Sequence, residues 1–119
     1  MRGEELVQAM TDGTKKVSTR LWCAKTVKRL QSVVLLGACV RIQTNYEFDS
    51  ICGWAVLDSV SEVAPAREVV TAAVVQLAGR GDLSVAEYIT QYCSVSRPDG
   101  TLKAGFVAVV RFKHFWPVY

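Results

Sequence analysis

Clustered cations are the first chemically distinctive feature of this chain. The stretch TKKVSTRLWCAKTVKRLQ, residues 14–31, contains six lysines or arginines and no acidic residue. Ammonium and guanidinium groups attract phosphates and other anions, and each phosphate that they neutralise on a nucleic acid releases a counterion. With one later arginine added, the predicted polyanion-binding residues are Lys15, Lys16, Arg20, Lys25, Lys28, Arg29 and Arg41.

Two kinds of polyanion fit these cations. A nucleic acid or a nucleoprotein would bind them with a strong dependence on salt concentration. An acidic membrane surface also fits, because Trp22 lies in the same stretch and indole rings favour the lipid headgroup region. Since nothing in the stretch specifies contacts with base edges, both partners remain open.

Aromatic residues are concentrated at the C-terminal end. Four of the eleven aromatics lie in FKHFWPVY, residues 112–119, and these are Phe112, Phe115, Trp116 and Tyr119. Because exposed aromatics anchor protein interfaces, these residues are predicted to mediate self-association or docking. The alternative is that their rings pack over the edge of the core.

Residues suited to catalysis or metal binding are sparse. His114 is the only histidine, and the four cysteines form no C-x-x-C pair, so neither a hydrolytic triad nor a zinc site is expected. A Cys93–His114 pair is the weaker, enzymatic alternative. The RGD tripeptide at 80–82 is interpreted as a turn. We therefore expect a non-enzymatic protein with no catalytic or metal-ligating residues, no cofactor and no small-molecule substrate.

Length and composition predict a single domain over residues 1–119. Residues 1–13 are interpreted as a flexible N-terminal arm, with a short helix at 3–11 as the alternative. Half of the residues are apolar, about a fifth are charged and the net charge is +3, which argues against disorder. No apolar run approaches the roughly 20 residues that span a bilayer. The N-terminus also lacks an apolar signal core, so a cytoplasmic location is expected.

Hydrophobic periodicity predicts the elements of the first half. Residues 17–30 fit a helix that buries Val17, Leu21, Ala24 and Val27, although a strand beginning at Val17 competes. The segment SVVLLGACVRIQT, residues 32–44, alternates as a strand. After a turn at NYEF, residues 45–48, the segment SICGWAVLDSVSEV, residues 50–63, is predicted to be a helix capped by Asp49 or Ser50.

The second half is predicted to contain a helix and a hairpin. Residues 65–79 carry apolar side chains at helical spacing and end at Gly79. Residues 85–95 fit a strand, although Ser84 and Glu87 would also form the capping box of a helix. With the turn sequence RPDG between them, 85–95 and 101–113 form a predicted hairpin. The expected fold class is α+β: an antiparallel sheet with a C-terminal hairpin, packed by two to three helices on one face.

The order of these segments resembles the core of rhabdovirus matrix proteins over residues 33–113. In that family a hydrophobic strand ends in a V-R-x-x-x-N-x-x-F-like run, here VRIQTNYEF at 40–48. A helix follows, here DSICGWAVLDSV at 49–60, and then an apolar helix, here PAREVVTAAVVQLAG. A late hairpin closes the sheet, here EYITQYCSVSRPDGTLKAGFVAVVRF.

The resemblance implies a viral structural protein without enzymatic activity. Matrix proteins bind the inner face of the envelope, self-associate and condense the nucleoprotein, and the cations at 15–29 would face the membrane or the nucleocapsid. Such a protein is cytoplasmic in the host cell, membrane-associated or part of the virion. The alternative is a small RNA-binding regulatory or accessory protein that uses the same cations and aromatics.

Overall fold

An antiparallel sheet with helices on both faces forms the framework of this α+β chain. The computed structural model describes residues 3–43 and 51–118. In chain order the elements are α1 (Gly3–Thr11), β1 (Val17–Arg20), α2 (Ala24–Leu36), β2 (Cys39–Gln43), β3 (Ile51–Val60), β4 (Ala64–Pro65), α3 (Ala66–Val69), α4 (Ala72–Leu77), α5 (Val85–Tyr92), β5 (Ser94–Ser96), β6 (Leu102–Ala104) and β7 (Phe106–Pro117). The predicted fold class is confirmed.

The long strand β7 organises the sheet. The strand order is β1-β7-β3-β2, and β4 pairs with the start of β7 beyond the end of β3. All of these pairs are antiparallel, with Arg20 opposite Ala108 and Trp54 opposite Trp116. A separate small sheet, β5 with β6, forms a hairpin just before β7.

Alternate residues of β7 belong to two separate cores. Val107 and Val109 pack with buried residues of α3, α4 and α5 on one face of the sheet. Ala108 and Val110 pack with Val27 of α2 on the other face. The predicted group of two to three helices on one face is therefore present as α3, α4 and α5, and α2 covers the opposite face in addition.

The first predicted helix is in fact a strand followed by a helix. Residues 17–20 form β1, the alternative that the alternation at Val17 allowed, and α2 begins at Ala24 and continues to Leu36. The predicted strand at 32–44 is therefore wrong in its first part, and within its described residues, 32–43, the segment that pairs with a neighbouring strand is Cys39–Gln43.

A glycine explains why the helix ends where it does. Gly37 has a left-handed backbone, with φ of 66°. Its N–H donates to the carbonyl of Val34, and the N–H of Ala38 donates to that of Val33. This pair of bonds is the Schellman ending of a helix, so Gly37 ends α2 rather than interrupting a strand.

The predicted helix at 50–63 is wrong, because its described part forms the central strand β3. The strand lies between β2 and β7 and is buried at Cys52, Ala55 and Leu57. Its β-branched and aromatic composition suits a strand between two others. The matrix-protein resemblance implies a helix at 49–60, and the described part of that segment, 51–60, is strand β3 instead. The predicted turn at 45–48 and the caps Asp49 and Ser50 lie outside the described residues.

The helices after β4 are shorter than predicted. The segment 65–79 contains α3 and α4, interrupted at Val70 and Thr71, and the Thr71 side chain accepts the first hydrogen bond of α4 from the Val74 N–H. Predicted strand 85–95 is wrong over most of its length. Its capping-box alternative is observed as α5, with Ser84 and Glu87 bonded reciprocally, and the hairpin around RPDG is limited to β5 and β6.

Candidate functional site

Helix α2 lies across one core with its opposite side in solvent. Val27 is fully buried, and Leu30 and Val34 pack against the core that contains Ala108 and Val110. The spacing of these three residues places them on one side of the helix. The opposite side of α2 therefore carries the exposed residues of the helix.

The exposed side of α2 combines cations with leucines. Lys25, Lys28 and Arg29 are exposed in its first two turns. Leu35 and Leu36 occupy its last turn and are 89% and 81% exposed. These residues recur at the spacing of one helix face, and they are named the α2 surface below: Lys25, Lys28, Arg29, Leu35 and Leu36.

Leu35 and Leu36 are so exposed that they gain almost no burial energy when the chain folds. Burying a leucine side chain stabilises by about 1.5–3 kcal/mol, and these two contribute almost none of that to the fold. The helix itself contains no acidic residue. At its flank, Gln31 donates to the Glu62 carboxylate at 3.1 Å. The α2 surface is thus a cationic stripe ending in an apolar tip.

Lys15, one of the predicted polyanion-binding residues, is not fully exposed. Its Nζ donates to the carbonyl oxygens of Val17 and Ala78 at 2.9 and 3.1 Å, and the residue is partly buried. Burial lowers its pKa to about 8, and the neighbouring charge of Arg20 acts in the same direction. Because Ala78 is 63 residues away in the chain, local sequence could not reveal this contact.

Lys15 should make stability depend on pH above neutrality. Its pKa is 10.5 when exposed and about 8 in the fold, so between these values the unfolded state binds more protons and the free energy of unfolding rises with pH. Urea denaturation of the wild type and of Lys15→Met, at pH 7 and near pH 10.5, isolates this contribution. We expect the wild type to gain about 3 kcal/mol relative to the variant. If the free energies of unfolding of the wild type and Lys15→Met differ by the same amount at both pH values, the lowered pKa of Lys15 is contradicted.

The other predicted cations are exposed and lie outside α2, and two of them, Arg20 and Arg41, line one cavity. Lys16 precedes β1 and Arg20 ends it, so neither lies on α2. Arg41 is exposed on β2, directly opposite Trp54 of β3. Only the three cations of α2 share a helix face.

A row of exposed side chains crosses β2, β3 and β7 near the C-terminal end of β7. Arg41 pairs in register with Trp54, and Trp54 pairs with Trp116 of β7. The two tryptophans are 42% and 49% exposed, and the His114 ring lies 5.9 Å from that of Trp116. Sequence reasoning missed Trp54 because it placed this residue in a helix. A correct strand assignment would have brought it beside Trp116.

The remaining predicted docking aromatics are less available. Phe112 packs against the core on the α2 face. Phe115 is half-buried, and its ring occupies the space above Gly53. Tyr119 lies outside the described residues. Of the four predicted aromatics, Trp116 is the one that the structure places in solvent.

The structure keeps Cys93 and His114 in different environments. Cys93 is fully buried and its thiol donates to the Thr19 hydroxyl, whereas His114 is exposed on β7. Burial raises the pKa of the Cys93 thiol, which opposes formation of a nucleophilic thiolate. Within residues 3–43 and 51–118, no group of three histidine, cysteine or acidic residues is arranged to hold a metal ion. In the same ranges, no helix is both long and apolar enough to cross a membrane.

Comparisons of the chain with protein-family models, with curated proteins and with solved structures found no significant match. An assignment of function therefore rests on the surfaces described above.

Proposed function

We propose that this chain is a non-enzymatic structural protein of the matrix type, which binds an acidic membrane surface through α2 and self-associates. The observation that carries the proposal is the α2 surface, where three cations are followed by two almost fully exposed leucines. With the side of α2 that carries Val27 packed in the core, its exposed cations would meet anionic headgroups while the two leucines enter the acyl region.

The two parts of the α2 surface make comparable contributions. A Lys or Arg near an anionic leaflet contributes about 1 kcal/mol, so Lys25, Lys28 and Arg29 together supply about 3 kcal/mol. Transfer of Leu35 and Leu36 into the bilayer adds a similar or larger amount. Phosphates of a nucleic acid would use the cations but leave the leucines in water, and for this reason a membrane is the favoured partner.

Self-association is assigned to the row of Trp54 and Trp116. Large amphipathic rings in solvent are the residues that most often anchor protein interfaces. The row lies on the sheet at the strand ends, separate from α2, so that neighbouring copies could join while each keeps its α2 surface on the membrane.

Binding of single-stranded RNA is the second candidate function. The observation in its favour is the same row, because Arg41 beside two exposed indoles provides a cation next to stacking surfaces for bases. Light scattering, which reports self-association, and an RNA-binding assay together distinguish the matrix-type function from the RNA-binding function. RNA binding by a monomer, abolished by Trp54→Ala with Trp116→Ala, together with no affinity for vesicles, would replace the first function by the second.

The cations of α2 should determine binding to anionic vesicles. We expect Lys25→Gln, Lys28→Gln and Arg29→Gln together to weaken co-sedimentation with phosphatidylserine-containing vesicles about 100-fold at physiological salt. Binding to pure phosphatidylcholine should be weak for both proteins. The matched control replaces three other cations, Arg67, Arg97 and Lys103, which line a groove beside α5. Equal losses in the two triple variants would reject α2 as the binding surface.

A further inference from the structure

A cavity of about 250 Å³ opens between β1, the segment after α4, and α5. It is far larger than the ~10–15 Å³ that one water requires. Basic and hydroxyl side chains are prominent in its lining: Lys15, Ser18, Thr19, Arg20, Arg80 and Tyr88. No residue of the α2 surface takes part, so this cavity is independent of the function proposed above.

Lys15 and Arg20 both line the cavity, and each carries a positive charge. Both reside at the β1 edge, and the charge of Arg20 lowers the pKa of Lys15 further than burial alone. Two of the three N–H donors of Lys15 go to the carbonyls of Val17 and Ala78. Since an ammonium group has three donors, one remains for a ligand. An anion between the two cations would relieve their repulsion.

Arg80 is a third cation at the cavity, and it is already paired. Its Nε donates to Oδ1 of Asp82 and its Nη2 donates to Oδ2, both at 3.1 Å. Its Nη1 donates to the Tyr92 hydroxyl. Asp82 therefore neutralises Arg80 and competes with any anionic ligand. This arrangement predicts that removing the Asp82 charge strengthens anion binding.

Buried hydroxyls complete the wall. Cys93 donates to Thr19, and the Thr19 hydroxyl lies 2.9 Å from that of Tyr88. Thr19 and Tyr88 are buried, at 6% and 3% exposure, so their positions are fixed by the core. Because one of these two hydroxyls donates to the other, the pair keeps one O–H for a ligand.

We propose that this cavity binds a phosphate group, held by Lys15 and Arg20 with one hydroxyl donor from the Thr19–Tyr88 pair. Cations and neutral donors around a partly enclosed space are the chemistry that recognises a phosphate monoester or an equivalent oxyanion. The phosphate belongs either to a soluble compound or to a phosphorylated lipid headgroup, and the two sources share this recognition.

Calorimetric titration with inorganic phosphate and with sulfate tests the soluble source. Arg20 is exposed and is the safer position to change, because Lys15→Gln would also disturb two core carbonyls. We expect Arg20→Gln to weaken binding of both anions at least about tenfold, and Asp82→Asn to strengthen it several-fold. Arg67→Gln, which removes an exposed cation from the separate groove beside α5, is the control and should leave affinity unchanged.

A vesicle assay separates the lipid source. Vesicles of phosphatidylcholine with a small fraction of phosphatidylinositol 4-phosphate are used with the protein that carries the three glutamines on α2, so that binding by α2 does not contribute. Retained binding that Arg20→Gln removes would assign a lipid headgroup, and binding of the soluble anions alone would assign a soluble phosphate compound. The proposal is overturned if none of these probes binds, or if Arg20→Gln and Asp82→Asn leave every affinity unchanged.

Discussion

Replacement of Leu35 and Leu36 by serine should abolish most binding to anionic vesicles without harming the fold. Both side chains are almost fully exposed, so their removal takes no contact from either core. On the membrane each leucine contributes about 1.5–3 kcal/mol, and the double variant should lose at least about 100-fold in partition coefficient. The measurement is co-sedimentation at physiological salt, with thermal unfolding followed in parallel.

A third leucine provides the control for this experiment. Leu102 on β6 is 52% exposed and lies away from α2, so Leu102→Ser should leave vesicle binding as in the wild type. If the double variant at 35 and 36 still binds normally, the leucines are not inserted and electrostatic attraction alone would explain any binding. A large fall in melting temperature would instead show that these leucines stabilise the fold.

Gly53→Ala should strongly destabilise the protein. A Cβ atom at this position would lie 2.4 Å from the Phe115 ring and 2.7 Å from the Trp116 carbonyl oxygen. The backbone oxygen cannot move without disturbing the pairing of β3 with β7, so the strands must separate locally. Overpacking of this kind typically costs about 1–3 kcal/mol, and the upper value lowers the melting temperature by on the order of 10 °C.

Gly81→Ala is the matched control for the Gly53 variant. Its Cβ would lie 2.5 Å from a side-chain oxygen of Gln76, which is nominally as close. Gln76 is exposed, however, and its flexible end can move aside, so we expect a change within about 0.5 kcal/mol. Urea denaturation of both variants measures the contrast. Equal stability of Gly53→Ala and the wild type would mean that Phe115 does not pack over β3 as described.

The fold class was predictable, whereas several elements were not. Antiparallel pairing, the turn at RPDG and the alternation within β7 follow from local patterns. The identity of β3 does not, because its exposed position in GWAVL is occupied by Trp54 and the segment therefore shows no polar alternation. Gly37 and the Ser84–Glu87 pair indicate helix ends more reliably than the β-propensity of neighbouring residues indicates strands, because each satisfies specific backbone groups at a helix end.

The cations could be found from sequence, but their arrangement could not. The predicted helix at 17–30 contains Arg20 together with the three cations of α2, but α2 begins only at Ala24, so Arg20 lies on β1 and not on the same helix. The leucines were assigned to a buried strand and therefore missed as surface residues. Lys15 and Trp54 depend on partners distant in sequence, Ala78 and Trp116, and only the folded chain brings these together.

A spin label on α2 tests membrane insertion most directly. Ser32 lies one turn before the leucines and is exposed, so Ser32→Cys can carry the label once the exposed Cys23 and Cys39 are changed to serine. A label at Gln91→Cys on α5 is the reference. On anionic vesicles we predict that the label at 32 becomes protected from a water-soluble nickel chelate and more accessible to oxygen, while the label at 91 is unchanged. Vesicle-bound protein in which both labels remain equally accessible to the chelate would contradict binding through α2.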